Sequence, residues 1–416
     1  MKHRLAVAYD AESSSPIEII TAVGELCDLI WVVDSSQSLG PMSALLPRLG
    51  TMVDLAGLAP EDAVAAVARA TPGGIVAFTD SRLPTASMIA AGLGLRFNRP
   101  EVTRLFLDKH EQRSALREAG VVVPEFVAIP PRASPEAISA LAGAVAFPAV
   151  LKPVRGSGSR DTYHVDSADR LVQILATALA EPAGAGEEYL LEEYLPDLET
   201  GAQPAFGDYV SVESVVAGAA PRHLAVTGKF PLEAPYRETG NFMPSLLAPD
   251  AEAAVTALAG QALAALGVEC GCFHTEIKLT PAGPRIIEVN ARVGGGGIED
   301  IFVMSYGESL RRVAALAALG LPVPSDIVSR HDGIAYQLFV QPPVTAYRLT
   351  RIDGLGEVGG LAGVVDVTVN CRVGDAVDWR RGSQGYVVTI RGSVADRDAL
   401  QRVRTRIQEL LVLEYA

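Results

Sequence analysis

Apolar and polar positions follow two rhythms over the first hundred residues. Arg4–Tyr9 alternates loosely and then turns apolar, as a buried strand does. Pro16–Leu26 carries apolar residues at helical spacing, and Leu29–Val33 is a second apolar, β-branched run. Ala63–Ala70 is helical, Gly74–Phe78 strand-like, and Pro84–Ala91 helical again. Strands alternating with helices predict an open parallel α/β layer. No Gly-x-Gly-x-x-Gly follows the first strand, which argues against a dinucleotide site there. The polar loop Asp10–Ser15 still stands where α/β crevices bind ligands.

The pattern then loosens. Val102–Ala119 reads as one charged helix ended by Gly120. Val121–Ile129 is strand-like but interrupted by Pro124, Glu136–Leu141 is a short helix, and Pro148–Pro153 is an apolar strand carrying Lys152. Tyr209–Ala217 and Arg222–Thr227 read as a hairpin, and Ala253–Leu266 as a packed helix. Lys229–Pro249 is polar and aperiodic, which predicts a functional loop. Phe273–Leu279 and Pro284–Asn290 are strands joined by the turn Thr280–Gly283, and Ser309–Leu319 is helical. Beyond His331 the pattern predicts several short strands and a closing amphipathic helix, Val394–Leu411, with Arg380–Ser383 as a solvated turn.

At 416 residues the chain has room for two to four domains at about 100–200 residues each. The formal net charge of −14 excludes a general nucleic-acid or anionic-membrane binder, which needs a basic footprint. Cys27, Cys270, Cys272 and Cys371 are too sparse for a disulfide framework and read as thiols. No apolar run reaches the roughly 18 residues that span a bilayer, and the expectation is a cytoplasmic protein.

Three clusters bear chemistry. Glu288 and Asn290 lie two apart on one strand and share a face, and a tight turn brings Glu276 opposite them. Two carboxylates and an amide oxygen suit Mg²⁺, with Arg292 two residues on to meet a phosphate; the alternative is a solvated acidic strand edge. Arg155, Gly156, Ser157, Gly158, Ser159 and Arg160 form a small-residue loop whose N–H groups can approach phosphate, or a plain hairpin turn. Lys152 interrupts an apolar strand and needs a phosphate or a carboxylate as partner, while Lys109 sits on a polar helix where solvation is the default.

In this order, Lys109, Lys152 with the Gly/Ser loop, Leu191-Glu192-Glu193-Tyr194-Leu195, then Glu276 and Glu288-x-Asn290-x-Arg292, the chain resembles the ATP-grasp superfamily. The resemblance implies an α/β and α+β fold: an N-terminal open parallel α/β domain (1–100), two ATP-gripping α+β subdomains (101–192 and 193–328) and a C-terminal β-rich cap (329–416). It implies that Lys109 and Lys152 hold ATP phosphates, that Arg155–Arg160 covers the triphosphate, and that Glu192, Glu193, Tyr194 and Leu195 meet adenine. Glu199 or Asp208 would hold the ribose, Glu276, Glu288 and Asn290 would hold Mg²⁺ (or Mn²⁺), and Arg292 would meet the transferred phosphate.

His274-Thr-Glu276-Ile-Lys278, Ile287–Gly295 and the segment Lys229–Ser245 resemble the L-amino acid ligases that make dipeptides. That implies a carboxylate–amine ligase working through an acyl phosphate on small amino-acid-like substrates, with a homodimer as the family expectation. Glu238 would hold the substrate amino group, and His274 would touch substrate or phosphate, or simply be satisfied on its strand. Position 241 is usually His in that family and is Asn241 here, while Gly294–Gly297 implies a roomier substrate pocket or one where backbone approaches the substrate closely. Biotin carboxylase-like or purine-pathway chemistry, and an ATP-binding regulatory module, are the competing readings.

Overall fold

The first strand, His3–Ala8, is buried from Leu5 onward because helices cover both faces of its sheet. The computed structural model describes all residues except 1, 13, 179–185, 199–204, 219, 326 and 328–332. The first sheet is parallel, in the order Gly50–Asp54, Cys27–Val33, His3–Ala8, Gly74–Ala77. The helix Pro16–Val23 begins at a capping box in which Ser15 and Glu18 exchange side-chain and backbone bonds. The edge strand Gly50–Asp54 was not expected. Its residues are half-buried or exposed, so they carry no apolar run to read.

The second sheet is antiparallel, in the order Phe126–Ile129, Tyr189–Glu193, Ala149–Pro153, Tyr163–Val165. Ala149, Leu151, Tyr189 and Leu191 share a core with the helices Pro135–Ala142 and Ala168–Ala178. Strand alternation therefore turns Val150, Lys152 and Glu192 to the opposite face.

The third sheet is antiparallel and has eight strands: Gly283–Asn290, Gly271–Thr280, Tyr209–Val216, Arg222–Lys229, Gly240–Met243, Ile334–Val340, Val388–Val394 and Val364–Val369. Phe273, Ile277, Ile286 and Val289 pack with Leu258, Ala259 and Ala262 of the helix Pro249–Ala265. His274, Glu276 and Lys278 consequently share the other face. The sheet runs on past residue 328, so 329–416 shares it with the segment before. A ribbon, Leu349–Asp353 with Val412–Tyr415, and the helix Arg397–Leu410 complete that end. Among the described residues no helix is long and apolar enough to cross a membrane.

Two expectations need correction, and one helix was not foreseen. Val102–Ala119 is two helices, Pro100–Leu105 and Lys109–Glu118, because the Asp108 carboxylate caps the second by accepting the Glu111 N–H. Lys229–Pro249 is not all loop, for it contains the strand Gly240–Met243. Gly240 sits at φ +140°, and a Cβ there would fall on the Gln337 carbonyl, so only glycine brings these two strands together. The helix Ile298–Tyr306 was not anticipated; left-handed glycines, Gly297 and Gly307, flank it.

Candidate active site

A cavity of about 920 Å³ lies between the small and large antiparallel sheets. Lys109, Lys152, Gly156–Arg160 and Glu192–Leu195 line one side. Asp208, Glu238, Glu276, Lys278 and Glu288 line the other.

On the large sheet Glu276 is paired with Glu288, and His274 with Asn290, across neighbouring strands. Behind them Glu213, buried on the strand Tyr209–Val216, accepts from His274 Nδ1 at 2.9 Å, Ser211 Oγ at 2.9 Å and Thr227 Oγ1 at 3.1 Å. His274 Nε2 lies 3.3 Å from Glu276. Burial alone would lower the His274 pKa, but the charge and hydrogen bond of Glu213, with Glu276, raise it to about 9. Burial would raise the Glu276 carboxyl, yet the hydrogen bond and charge of His274, then Lys229 and Arg292, hold it down to about 2. His274 is thus a buried cation between two carboxylates and does not line the cavity.

On the small-sheet side Glu192 receives Arg113 Nε at 2.8 Å and Lys152 Nζ at 2.6 Å. Burial pushes the Glu192 carboxyl up, but the two cations win and hold it below the ordinary carboxylate range. Lys152 therefore has a carboxylate partner and still lines the cavity. Lys109 is not a solvated lysine: its side chain is 11% exposed and Nζ lies 3.1 Å from Glu288. The cap at Asp108 sets this, since the Lys109 N–H then bonds the Val154 carbonyl beside the Lys152 strand.

Other expected residues are placed as follows. Arg155 is 80% exposed and reaches Asp108 at 3.6 Å, outside the cavity lining. Arg160 pairs with Asp161 and Glu187. Glu193 accepts the Glu125 N–H at 3.2 Å, and Tyr194 Oη donates to Asp197 at 2.8 Å, its ring edge-on to His164. Leu195 lines the cavity. Glu199 lies outside the described residues, whereas Asp208 lines the cavity and shares Lys278 with Asp197, each at 2.6 Å. Glu238 receives Lys229 Nζ at 2.7 Å. Arg292 is held by Asp80 of the N-terminal layer at 3.0 Å. Asn241 is buried and donates to the Gly296 carbonyl at 3.0 Å, with its Oδ1 unpartnered; it faces the glycine run and is not part of the cavity lining.

The hard oxygens of Glu276, Glu288 and Asn290 fit Mg²⁺ or Mn²⁺ in donor chemistry; the register sets Glu276 beside Glu288 in the cavity lining, while Asn290 is buried beside His274 outside it. Two carboxylates suffice for an ion that takes its remaining ligands from phosphate and water. Among the described residues no group of three His, Cys, Asp or Glu forms a metal cluster.

Four neighbours of the cleft residues were not expected there: Arg113, Glu213, Asp80 and Ser383. Glu213 left a signal, an acid inside the buried strand Tyr209–Val216. Arg113 and Asp80 left none, because their partners Glu192 and Arg292 lie on other elements.

Residues 145–300 match the model of an ATP-grasp domain. Carnosine synthase 1 of Gallus gallus is 35% identical over 192 residues, covering 44% of this chain and 20% of that protein. The chain thus spans about a fifth of that relative's length. An L-arginine-specific L-amino acid ligase of Bacillus subtilis is 21% identical over 93% of this chain and 86% of its own. The crystal structure of an L-amino acid ligase from Bacillus licheniformis superposes with a TM-score of 0.75 at 20% identity, covering 100% of this chain and 99% of that one.

Proposed function

We propose, for a chain whose residues 145–300 match an ATP-grasp domain and whose fold is that of an ATP-grasp protein, an ATP-dependent ligase that joins a carboxylate to an amine. The substrates are amino acids or amino-acid-like molecules, as the names of two relatives suggest. One observation carries the reading: a cavity with Lys109, Lys152 and a glycine loop on one side faces Glu276 and Glu288 on the other.

In the proposed reaction a substrate carboxylate oxygen attacks the γ-phosphorus of ATP, and the bond to the bridging oxygen breaks, giving an acyl phosphate and ADP. The amine nitrogen then attacks the acyl carbon. Phosphate leaves with its bonding pair, and the nitrogen loses a proton. Phosphoryl transfer asks for positioning and charge compensation more than for covalent help. Lys109 and Lys152 would bind phosphate oxygens, and Arg292, fixed by Asp80, would face the transferred group. Glu276, Glu288 and Asn290 would hold a divalent ion, which supplies charge neutralisation of the phosphates. Gly156–Ser159 would exclude water that otherwise hydrolyses the acyl phosphate. Glu238, already bound to Lys229, would orient the substrate ammonium. His274, protonated at neutral pH, would hold Glu276 in place and not act as a base.

The test is ADP release from Mg·ATP against single amino acids and pairs, with mass spectrometry of each mixture. Turnover that needs both partners, with a product one water lighter than their sum, is expected. ADP release that answers to bicarbonate and ignores amino acids would move the chain to carboxylating chemistry.

A further inference from the structure

The segment Arg380–Ser383, expected as a solvated turn, is seated against the cleft. Gly382 and Ser383 are buried, and Ser383 lines the cavity. The Ser383 N–H donates to the Gly158 carbonyl of the glycine loop at 2.7 Å. On its other side Ser383 Oγ accepts the Glu238 N–H at 3.0 Å. The Gln341 amide clamps the joint, donating to the Glu238 carbonyl at 2.7 Å and to the Ser383 carbonyl at 3.0 Å. Gly382 sits at φ +66°, and a Cβ there would fall on the Gly158 carbonyl, so the approach requires glycine. Trp379 meets Tyr163 edge-on at 5.9 Å and anchors the segment to the small sheet.

We propose that Ser383 is a positioning residue that couples the glycine loop to Glu238, so that closing the loop over a nucleotide fixes the group that receives the amino-acid substrate. This rests on the nucleotide reading of the cavity given above. Both bonds pass through one residue, one from its main chain and one from its hydroxyl. Loop order and Glu238 order are therefore linked, and the linkage is reciprocal: an occupant at Glu238 favours the closed loop as much as the closed loop favours that occupant.

Hydrogen-exchange mass spectrometry tests it on the full chain, with Mg²⁺ and a non-hydrolysable imido analogue of ATP as the probe. In the wild type the probe is expected to slow exchange both in Tyr189–Leu195 and around Glu238. In Ser383→Ala the slowing at Tyr189–Leu195 persists, while the probe-induced slowing at Glu238 falls by about fivefold or more. Gln341→Ala loosens the same joint without touching the loop. It is expected to act in the same direction, and it carries the test if Ser383→Ala does not fold. Full probe-induced slowing at Glu238 in either folded variant overturns the coupling. If the probe slows exchange nowhere in the wild type, the nucleotide reading falls and the coupling with it. If only Tyr189–Leu195 is slowed in the wild type, the coupling alone falls.

Discussion

On the small-sheet wall of the cleft two cations, Arg113 and Lys152, share one buried carboxylate, Glu192; on the large-sheet wall a buried carboxylate, Glu213, and a half-buried one, Glu276, share one histidine, His274. Within these clusters cations outnumber the carboxylate on the first wall and carboxylates outnumber the histidine on the second, where Lys229 and Arg292 add positive charge. On the proposed reading, a ligand of mixed sign, anionic toward Lys152 and bearing a metal ion toward Glu276, would answer both at once. The difference also separates two jobs, since Arg113 reaches across to the Ile287 carbonyl and ties the walls together, whereas Glu288 faces the cavity.

The sharpest way to break the comparison is Glu288→Gln, which keeps the shape and removes the charge. Amino-acid-dependent ADP release is expected to fall by about a hundredfold or more, as when other transition-state stabilisers are removed. Near-normal turnover would show that the acidic wall is not where the metal acts. Next in size, Arg113→Met should reduce stability and not chemistry alone. Arg113 is fully buried, but Glu192 keeps Lys152 at 2.6 Å, so the loss is that of a charged hydrogen bond, about 1.5–3 kcal/mol. Urea unfolding reads that loss, and an unchanged midpoint would mean that the small-sheet wall is not held by its charges.

The smallest effect comes from the far side of the large sheet. His223, bonded to Ser214 at 2.8 Å and beside Gly260 of the helix Pro249–Ala265, is pushed by burial below its ordinary 6.5. The unfolded chain takes up this proton more readily, so His223 contributes stability above pH 6.5 that is lost as pH falls through its lowered value. His223→Asn should flatten the acid-side slope of an unfolding-midpoint series between pH 7 and 5. An unaltered slope would assign that pH response to the cleft walls.

Much of this site was legible because charge in an apolar context is a strong signal. Lys152 stands out in Ala149–Pro153, and the two-strand register with a short turn was enough to set Glu276 against Glu288. The parallel layer was legible where its strands are buried and lost where Gly50–Asp54 runs along an exposed edge. Arg113 and Ser383 were not legible for a different reason. Arg113 lies on a polar helix and looks solvated until Glu192 of another sheet covers it. Ser383 lies in a polar turn whose burial depends on Gly158, far earlier in the chain. Periodicity reports what an element does with its own faces, and it is silent about a neighbour supplied by another element.

The pair Lys109–Glu288 spans the cleft from one wall to the other. On the proposed reading this bond is a gate that only a matched visitor can open. A bare metal ion would have to part the carboxylate from its lysine and leave that lysine with the Gly156 carbonyl alone, and a bare nucleotide would strand the glutamate. The chelate would relieve both in one exchange, so that metal and nucleotide would enter as a single guest.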